Sequence, residues 1–224
     1  MKTGWILCMF LLTAGMLSAD DFPLVQDGKA ANIVIGNYFT PGSYRKTEFS
    51  ATEAYAAAEL ADYTEKITGV RPSISTRAAK GRPNLYLIHW FWACNPPAAV
   101  KIPALVNKIK DDGFLLYAKG DTAYVIAKRP RGVLYGAYEI LKKYGDIRWI
   151  LPGPEGEYYT PKTTIRIPDQ ATVVNPSFQK RNFNLVCANN GSTIETPKWM
   201  LRNNMQPQLY DCDKEAGGHI FSTL

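Results

Sequence analysis

Histidine is scarce in this chain: His89 and His219 stand far apart in 224 residues. Neither has a Cys-x-x-Cys pair or a second histidine beside it. A zinc site needs several such ligands at close spacing, so no metal is expected. Cysteine is sparse as well. Cys8 lies in the N-terminal apolar run, leaving Cys94, Cys187 and Cys212. An odd number permits at most one bridge here, which excludes a disulfide scaffold. Cys187 and Cys212, both late in the chain, are the expected pair. Gly-x-Ser-x-Gly and a P-loop are missing too, which removes the common signatures of a serine hydrolase or a nucleotide enzyme. No cofactor is implied.

A stripe of basic residues is also lacking. The net charge is +6, but its sources are scattered: Arg45 and Lys46, Lys108 and Lys110, Lys128, Arg129 and Arg131, Lys142 and Lys143. Acidic residues intervene and no aromatic interleaving accompanies them. The electrostatic footprint of a nucleic-acid binder is therefore absent.

Long apolar runs are limited to residues 5–17, behind Met1 and Lys2 and ahead of Ser18, Ala19, Asp20 and Asp21. That layout is a secretory signal peptide over residues 1–19, with Ala19 at the cleavage point. Leu17 is larger than a cleavage site prefers. The run is short for a bilayer, so stable membrane insertion is not expected; an uncleaved anchor is the alternative. The mature protein is expected to be secreted or periplasmic, with about 205 residues, room for one domain and a remainder.

What is present reads as alternating strands and helices. Ile33, Val34 and Ile35 form an apolar run of the kind buried on both faces of a sheet. Ser50 and Glu53 have capping-box spacing, and Ala56, Leu60, Tyr63 and Ile67 then share one helical face up to Gly69. Glu59, Asp62, Glu65 and Lys66 read as its solvated side. Residues 72–76 read as an edge strand. Residues 84–89 read as a strand with Leu85, Leu87 and His89 on one side. His89 reads as a satisfied strand-end histidine, since a general base needs an orienting partner and the sequence names none. Residues 104–109 read as a short helix, and residues 113–127 as a hairpin turning at Lys119, Gly120 and Asp121.

Residues 128–157 organise the rest. Pro130 suits a helix start. Val133, Ala137, Ile140 and Tyr144 then recur at helical spacing. Gly132 and Gly136 leave a bare patch for close approach of another backbone. Lys142 and Lys143 suit the last turn, and Gly145 the left-handed closing position. Residues 147–151 read as a short strand, and 152–157 as a turn-rich exit with Glu155 and Glu157 solvated. A last strand over 163–168 and a linker over 169–175 follow. The fold class is α/β (α+β): a mixed sheet with two long helices packed on it.

Arg131-Gly132, Tyr135-Gly136, Gly145, Arg148-Trp149, Pro152-Gly153 and Gly156-Glu157 resemble the closing signature of the N-terminal domain of α-glucuronidase-like glycoside hydrolases. Glu65-Lys66-Ile67-Thr68-Gly69 and Asp112-Gly113-Phe114 fall where that family has its first helix exit and its hairpin. The family domain is similar to the small domain that precedes the barrel in β-hexosaminidases. The resemblance implies a domain over residues 20–168, then a linker and the beginning of a (β/α)8 barrel over 169–224. Roughly fifty residues come after Asn175, against about 250 for a barrel, so the chain reads as a fragment or as a naturally shortened protein.

By resemblance the catalytic carboxylates lie beyond Leu224, so no catalytic residue is assigned. The implied function is the non-catalytic N-terminal domain of a secreted glycosidase acting on xylan-like polysaccharide. Its partners would be carbohydrate and its own missing barrel. Arg181 and Asn184 match the family's opening barrel strand. Arg181 there would either bind sugar hydroxyls or a uronate, or form a linker salt bridge. His219, after Gly217 and Gly218, is a further candidate at the barrel mouth. Trp90, Phe91 and Trp92 form either a sugar-stacking platform or core or domain-interface packing, burial being the commoner use of aromatics. If a platform, they would suit a stand-alone carbohydrate-binding module.

Overall fold

A computed structural model describes residues 21–35, 46–89, 103–181 and 195–207. Its main sheet has six strands. β3 (Asn32–Ile35), β4 (Ser73–Ser75), β5 (Asn84–His89) and β7 (Thr122–Ala127) run parallel; β6 (Phe114–Lys119) and β11 (Gln170–Val174) are antiparallel to their neighbours. The spatial order is β11-β6-β7-β5-β3-β4. A smaller sheet joins β1 (Phe22–Gln26) to β2 (Lys29–Ala30) and β10 (Ile165–Ile167). β8 (Arg148–Trp149) pairs with β9 (Glu157–Tyr158).

Two long helices cover one face of the sheet: α1 (Lys46–Thr68) and α3 (Pro130–Lys143). Ala56, Leu60, Tyr63 and Ile67 of α1 are buried against Leu85, Leu87 and Val125 of the sheet and Leu134, Tyr138 and Leu141 of α3. The expected mixed α/β architecture with two packed helices is the one observed. The opposite face carries a second cluster, in which Ile88, Leu115, Tyr124 and Ile126 meet Val106 of the short helix α2 (Pro103–Val106) and nearby Ile109. Alternate residues of β5 thus enter different clusters, as a period of two requires. At the amino ends of the parallel strands, the buried Asn32 amide donates to Asn84 Oδ1 at 3.0 Å and to Arg77 O at 3.2 Å, while its oxygen accepts from Ser73 and Ser75. Polar groups that sheet pairing leaves over are satisfied there.

Several expectations are corrected. α1 begins at Lys46, so Ser50 and Glu53 lie inside it rather than at its start, and the capping-box position does not apply. Gly69 does close α1, at φ 73° with its N–H on Glu65 O. At the end of α3 the left-handed residue is Asp146, at φ 59°. Gly145 is needed for space instead, because a Cβ there would lie 2.6 Å from Leu141 O. The strand expected over 147–151 is only Arg148–Trp149, and Ile150 and Leu151 are exposed. Residues 170–174 are not linker. They form β11, paired along its length with β6.

The glycine patch on α3 is real and has two parts. A Cβ on Gly132 would lie 2.6 Å from Gly113 O, so one backbone approaches another. At Gly136 the neighbours are side chains, Val125 Cγ1 at 2.3 Å and Phe114 beyond it. A further helix, α4 (Glu195–Arg202), packs against this helical layer and buries Met200 and Leu201. Asn204 takes the left-handed position after it, and Met205 N–H returns to Met200 O at 2.8 Å. That is a closed helix end of the Schellman kind.

Candidate functional site

Sheet topology marks one location first. From β3 the chain passes outward to β4, and from β5 it passes the other way, toward β6 and β7. In open parallel sheets ligands favour the carboxyl edge at such a switch point, here between Ile35 and His89. Glu53, one third of the way along α1, reaches this edge. It is buried, and its Oε1 accepts the His89 backbone N–H at 2.9 Å. Burial lifts its pKa from the ordinary carboxylate value to about 7, against the pull of that hydrogen bond. His89 is buried too, and its Nε2–H donates to Lys128 O at 2.7 Å. Burial depresses its pKa, which that carbonyl partly offsets. His89 therefore joins the carboxyl ends of β5 and β7, the strand-end role expected of it.

A second group surrounds Asp112, just before β6. Its carboxylate is 4% exposed and accepts from Arg181 Nη2 at 3.3 Å and Gln206 Nε2 at 3.0 Å. Arg131 Nε stands 3.8 Å away. The other donors of Arg181 go to Asn204 O at 2.7 Å and Phe178 O at 2.8 Å, and its guanidinium lies 5.5 Å from the Tyr135 ring centroid. The fork considered for a sugar or a uronate is thus engaged within the chain. Trp90, Trp92, Asn184 and His219, the other residues singled out, lie outside the described residues.

The third group escaped the sequence reading. The tight turn Leu151–Gly156 brings Gly156 so near Leu151 O that a Cβ could not fit. It delivers Glu157 back over α1. Glu157 is no solvated residue: it accepts from Tyr63 Oη and Lys66 Nζ, and from Arg202 Nη1 at 3.3 Å. Glu59 is likewise turned inward. It accepts from Tyr138 Oη at 3.0 Å and from Arg202 Nε and Nη2 at 3.1 and 3.3 Å. The Arg202 side chain is 9% exposed, with its guanidinium 5.0 Å from the Tyr63 ring centroid and 5.7 Å from that of Trp149.

Burial pushes Glu157 upward, but the hydrogen bonds from Lys66 and Tyr63, with the charges of Lys66 and Arg202, hold it below the usual carboxylate range. Burial lowers the Arg202 pKa, and the Glu59 charge and hydrogen bond more than reverse this. Chemically the cluster is a charge-compensated buried network. Its carboxylates are committed to a guanidinium. The one signal available was Arg202 itself, which lies one turn after Trp199 on α4.

These elements define a mixed α/β domain. Residues 40–140 match the family model of the glycosyl hydrolase family 67 N-terminus. The resemblance drawn from the first and closing helices therefore holds. Among solved structures, a mutant Streptomyces plicatus β-hexosaminidase in complex with its product GlcNAc is similar at 14% identity and a TM-score of 0.42, over 72% of this chain and 24% of that one. A GH20 β-N-acetylhexosaminidase from Streptomyces coelicolor is similar at 13% identity and a TM-score of 0.43, over the same 72% and 24%. The chain thus spans about a quarter of the length of those hexosaminidases. No curated protein matches.

Proposed function

We propose that this chain is the exported, non-catalytic N-terminal part of a glycoside hydrolase of α-glucuronidase type, acting in the breakdown of uronate-bearing polysaccharide such as xylan. The observation that carries the reading is the match of residues 40–140 to the family 67 N-terminus. The side-chain chemistry is consistent with it. Glycoside hydrolysis usually needs two carboxyl groups facing across a bond, and Glu53, Glu59, Asp112 and Glu157 are each committed to partners within the chain. The signal-like segment 1–19 is the ground for export. Carbohydrate and the domain's own barrel are the proposed partners.

The test is the mature protein secreted by its native source. Its mass is measured, and it is incubated with glucuronoxylan oligosaccharides. A species several times larger than 25.0 kDa that releases glucuronic acid supports the proposal. Turnover by the 224-residue chain alone would overturn the non-catalytic role. A larger species that cleaves other glycosides but leaves uronates intact would overturn the substrate class.

A further inference from the structure

A recess of about 650 Å³ opens at the amino ends of β3, β4 and β5, the edge of the sheet opposite Glu53 and His89. Three connections wall it, each just ahead of a parallel strand. Lys29 and Ala30 precede β3, Val70 and Arg71 precede β4, and Arg82 and Pro83 precede β5. Pro23 of β1 adds to the lining. The size falls in the range of small-molecule sites, about 300–1,000 Å³.

All three walls are held from within the chain. The β1–β2 turn has Asp27 at φ 51° and Gly28 at φ 70°, the two left-handed residues that a tight hairpin turn of this kind requires. Thr68 Oγ1 accepts the Val70 N–H at 3.1 Å, and Arg71 is anchored to Asp62 at 2.5 Å and to Glu65 at 2.8 Å. Asn84 fixes the third wall: its Oδ1 accepts the Ala79 N–H at 2.8 Å, and its Nδ2 donates to Arg82 O at 2.8 Å. The buried Asn32 supports the same wall, its backbone N–H donating to Pro83 O at 2.8 Å. Walls ordered before a ligand arrives lose little further entropy when it binds.

The polar part of the recess is mainly cationic. Lys29, Arg71 and Arg82 face one lining acid, Asp27, to which Gln26 Nε2 donates at 3.2 Å. The charge of Arg71 is already answered by Asp62 and Glu65, which leaves Lys29 and Arg82. Arg82 Nη2 donates to Ala30 O at 2.7 Å, and this bond orients the guanidinium. Its other donors, and the Lys29 ammonium, have no partner among the described residues. An arginine fork matches a carboxylate with two parallel hydrogen bonds. Pro23, Val70 and Pro83 add apolar surface, which a bare ion would leave unused and the C–H face of a ring would cover.

We propose that this recess binds a carboxylate-bearing sugar residue, with the carboxylate met by Arg82 and Lys29 and the ring laid against the prolines. The site holds its ligand and does not cleave it: glycoside hydrolysis usually needs two carboxyl groups, and the lining has one. That the sugar acid belongs to a polysaccharide rests on the function proposed above; the anion site itself does not.

The test is an NMR titration of the ¹⁵N-labelled 224-residue chain with three probes: an aldobiouronic acid (glucuronic acid linked to xylose), xylobiose and inorganic phosphate. The aldobiouronic acid is expected to shift amides of residues 27–30, 70–71 and 81–82, and xylobiose to leave them in place. Arg82→Gln should weaken the binding about tenfold, the effect of losing one hydrogen bond to a charged group. Lys29→Gln should weaken it by a smaller factor. No shift with the aldobiouronic acid, or an equal shift with xylobiose, overturns the proposal, because the carboxylate is then not recognised. Affinity unchanged in both variants overturns it as well, because the anion then sits elsewhere. Phosphate bound more tightly than the uronate overturns the assignment to a sugar acid. Should Arg82→Gln fail to accumulate, Lys29→Gln decides alone, since Lys29 is exposed on the turn. Uronate binding at the recess by a native enzyme that leaves uronates uncleaved would count against the proposed function alone.

Discussion

Nε of Arg202 lies 3.1 Å from Oε2 of Glu59, across 143 positions of sequence. A guanidinium from late in the chain thus neutralises a carboxylate of the first long helix. Glu157 shares the same guanidinium and adds the partly exposed Lys66, so two carboxylates face two cations. Buried charges persist only when paired and hydrogen-bonded. Both conditions are met here, which makes the position of α4 a matter of charge as well as of packing.

Acid should release this pairing. The pKa of Glu157 is depressed in the folded state, so its contribution is present above the unfolded value and is lost as pH falls through the folded one. The window lies below the ordinary carboxylate value of 4.5. Trp149 lies beside the Arg202 guanidinium and accepts a hydrogen bond from Trp199, so both indoles report on the cluster. Their fluorescence is expected to change in an acid titration below that pH. In Glu157→Gln the step should vanish or shift markedly, and an identical titration in the variant would show that another carboxylate is responsible.

Glu53 has the opposite sign. Its folded pKa is raised from 4.5 to about 7, mainly by burial. Between those values the folded state holds a proton that the unfolded state has released, so stability falls as pH rises from 4.5 to 7 and is level above. The shift corresponds to on the order of 3 kcal/mol, at about 1.36 kcal/mol per unit. Glu53→Gln keeps an acceptor for the His89 N–H and removes the charge. Urea unfolding at about pH 8, above the raised value, should show the variant more stable than wild type, with the gain shrinking toward about pH 5. A variant less stable than wild type at the higher pH would mean that the charge of Glu53 is compensated and not stranded.

Gly136→Ala should destabilise although it raises helix propensity. The added Cβ would meet Val125 Cγ1 at 2.3 Å and Phe114 Cδ2 at 3.3 Å. Ala gains up to about 1 kcal/mol over Gly in a helix interior. Overpacking of a tight core costs about 1–3 kcal/mol, and the short contact with a β-branched residue on a central strand puts this case high in that range. Thermal unfolding should show a lower Tm. The double variant with Val125→Ala should recover part of the loss, since the offending methyl group is gone.

The fold was legible wherever one face alternates or repeats. The α1 face of Ala56, Leu60, Tyr63 and Ile67, the β5 alternation and the β6–β7 turn at Gly120 are all as their periodicity predicts. Short two-sided elements were not. Residues 170–174 carry few large apolar groups because β11 is an edge strand, and edge strands read as linker. The charged network was the least legible part. Glu59 and Glu157 look solvated from local sequence, since Glu59 lies near Asp62 on α1 and Glu157 comes after a Pro/Gly turn. Their partner, Arg202, is brought to them only by tertiary packing, and no local rule connects positions so far apart.

Asp112 offers the sharpest test of the group it shares with Arg131, Arg181 and Gln206. It is 4% exposed and lies within 3.8 Å of Arg131 and 3.3 Å of Arg181, with Gln206 donating at 3.0 Å. Asp112→Asn keeps the shape and one acceptor oxygen but removes the negative charge that these contacts share. Two guanidinium groups would then face a neutral amide, whose NH₂ would point at donors or turn away. Breaking a buried pair by removing one partner costs about 3–5 kcal/mol, and partial exposure of Arg131 puts the expected loss near the lower end. Arg181→Met in the same background removes the stranded charge, so the double variant should lose less than the sum of the singles, with a coupling of at least about 1 kcal/mol in a double-mutant cycle. Strict additivity in denaturant unfolding would mean that Asp112 and Arg181 are neighbours without interaction, and that Arg181 is held by its bonds to Asn204 O and Phe178 O instead.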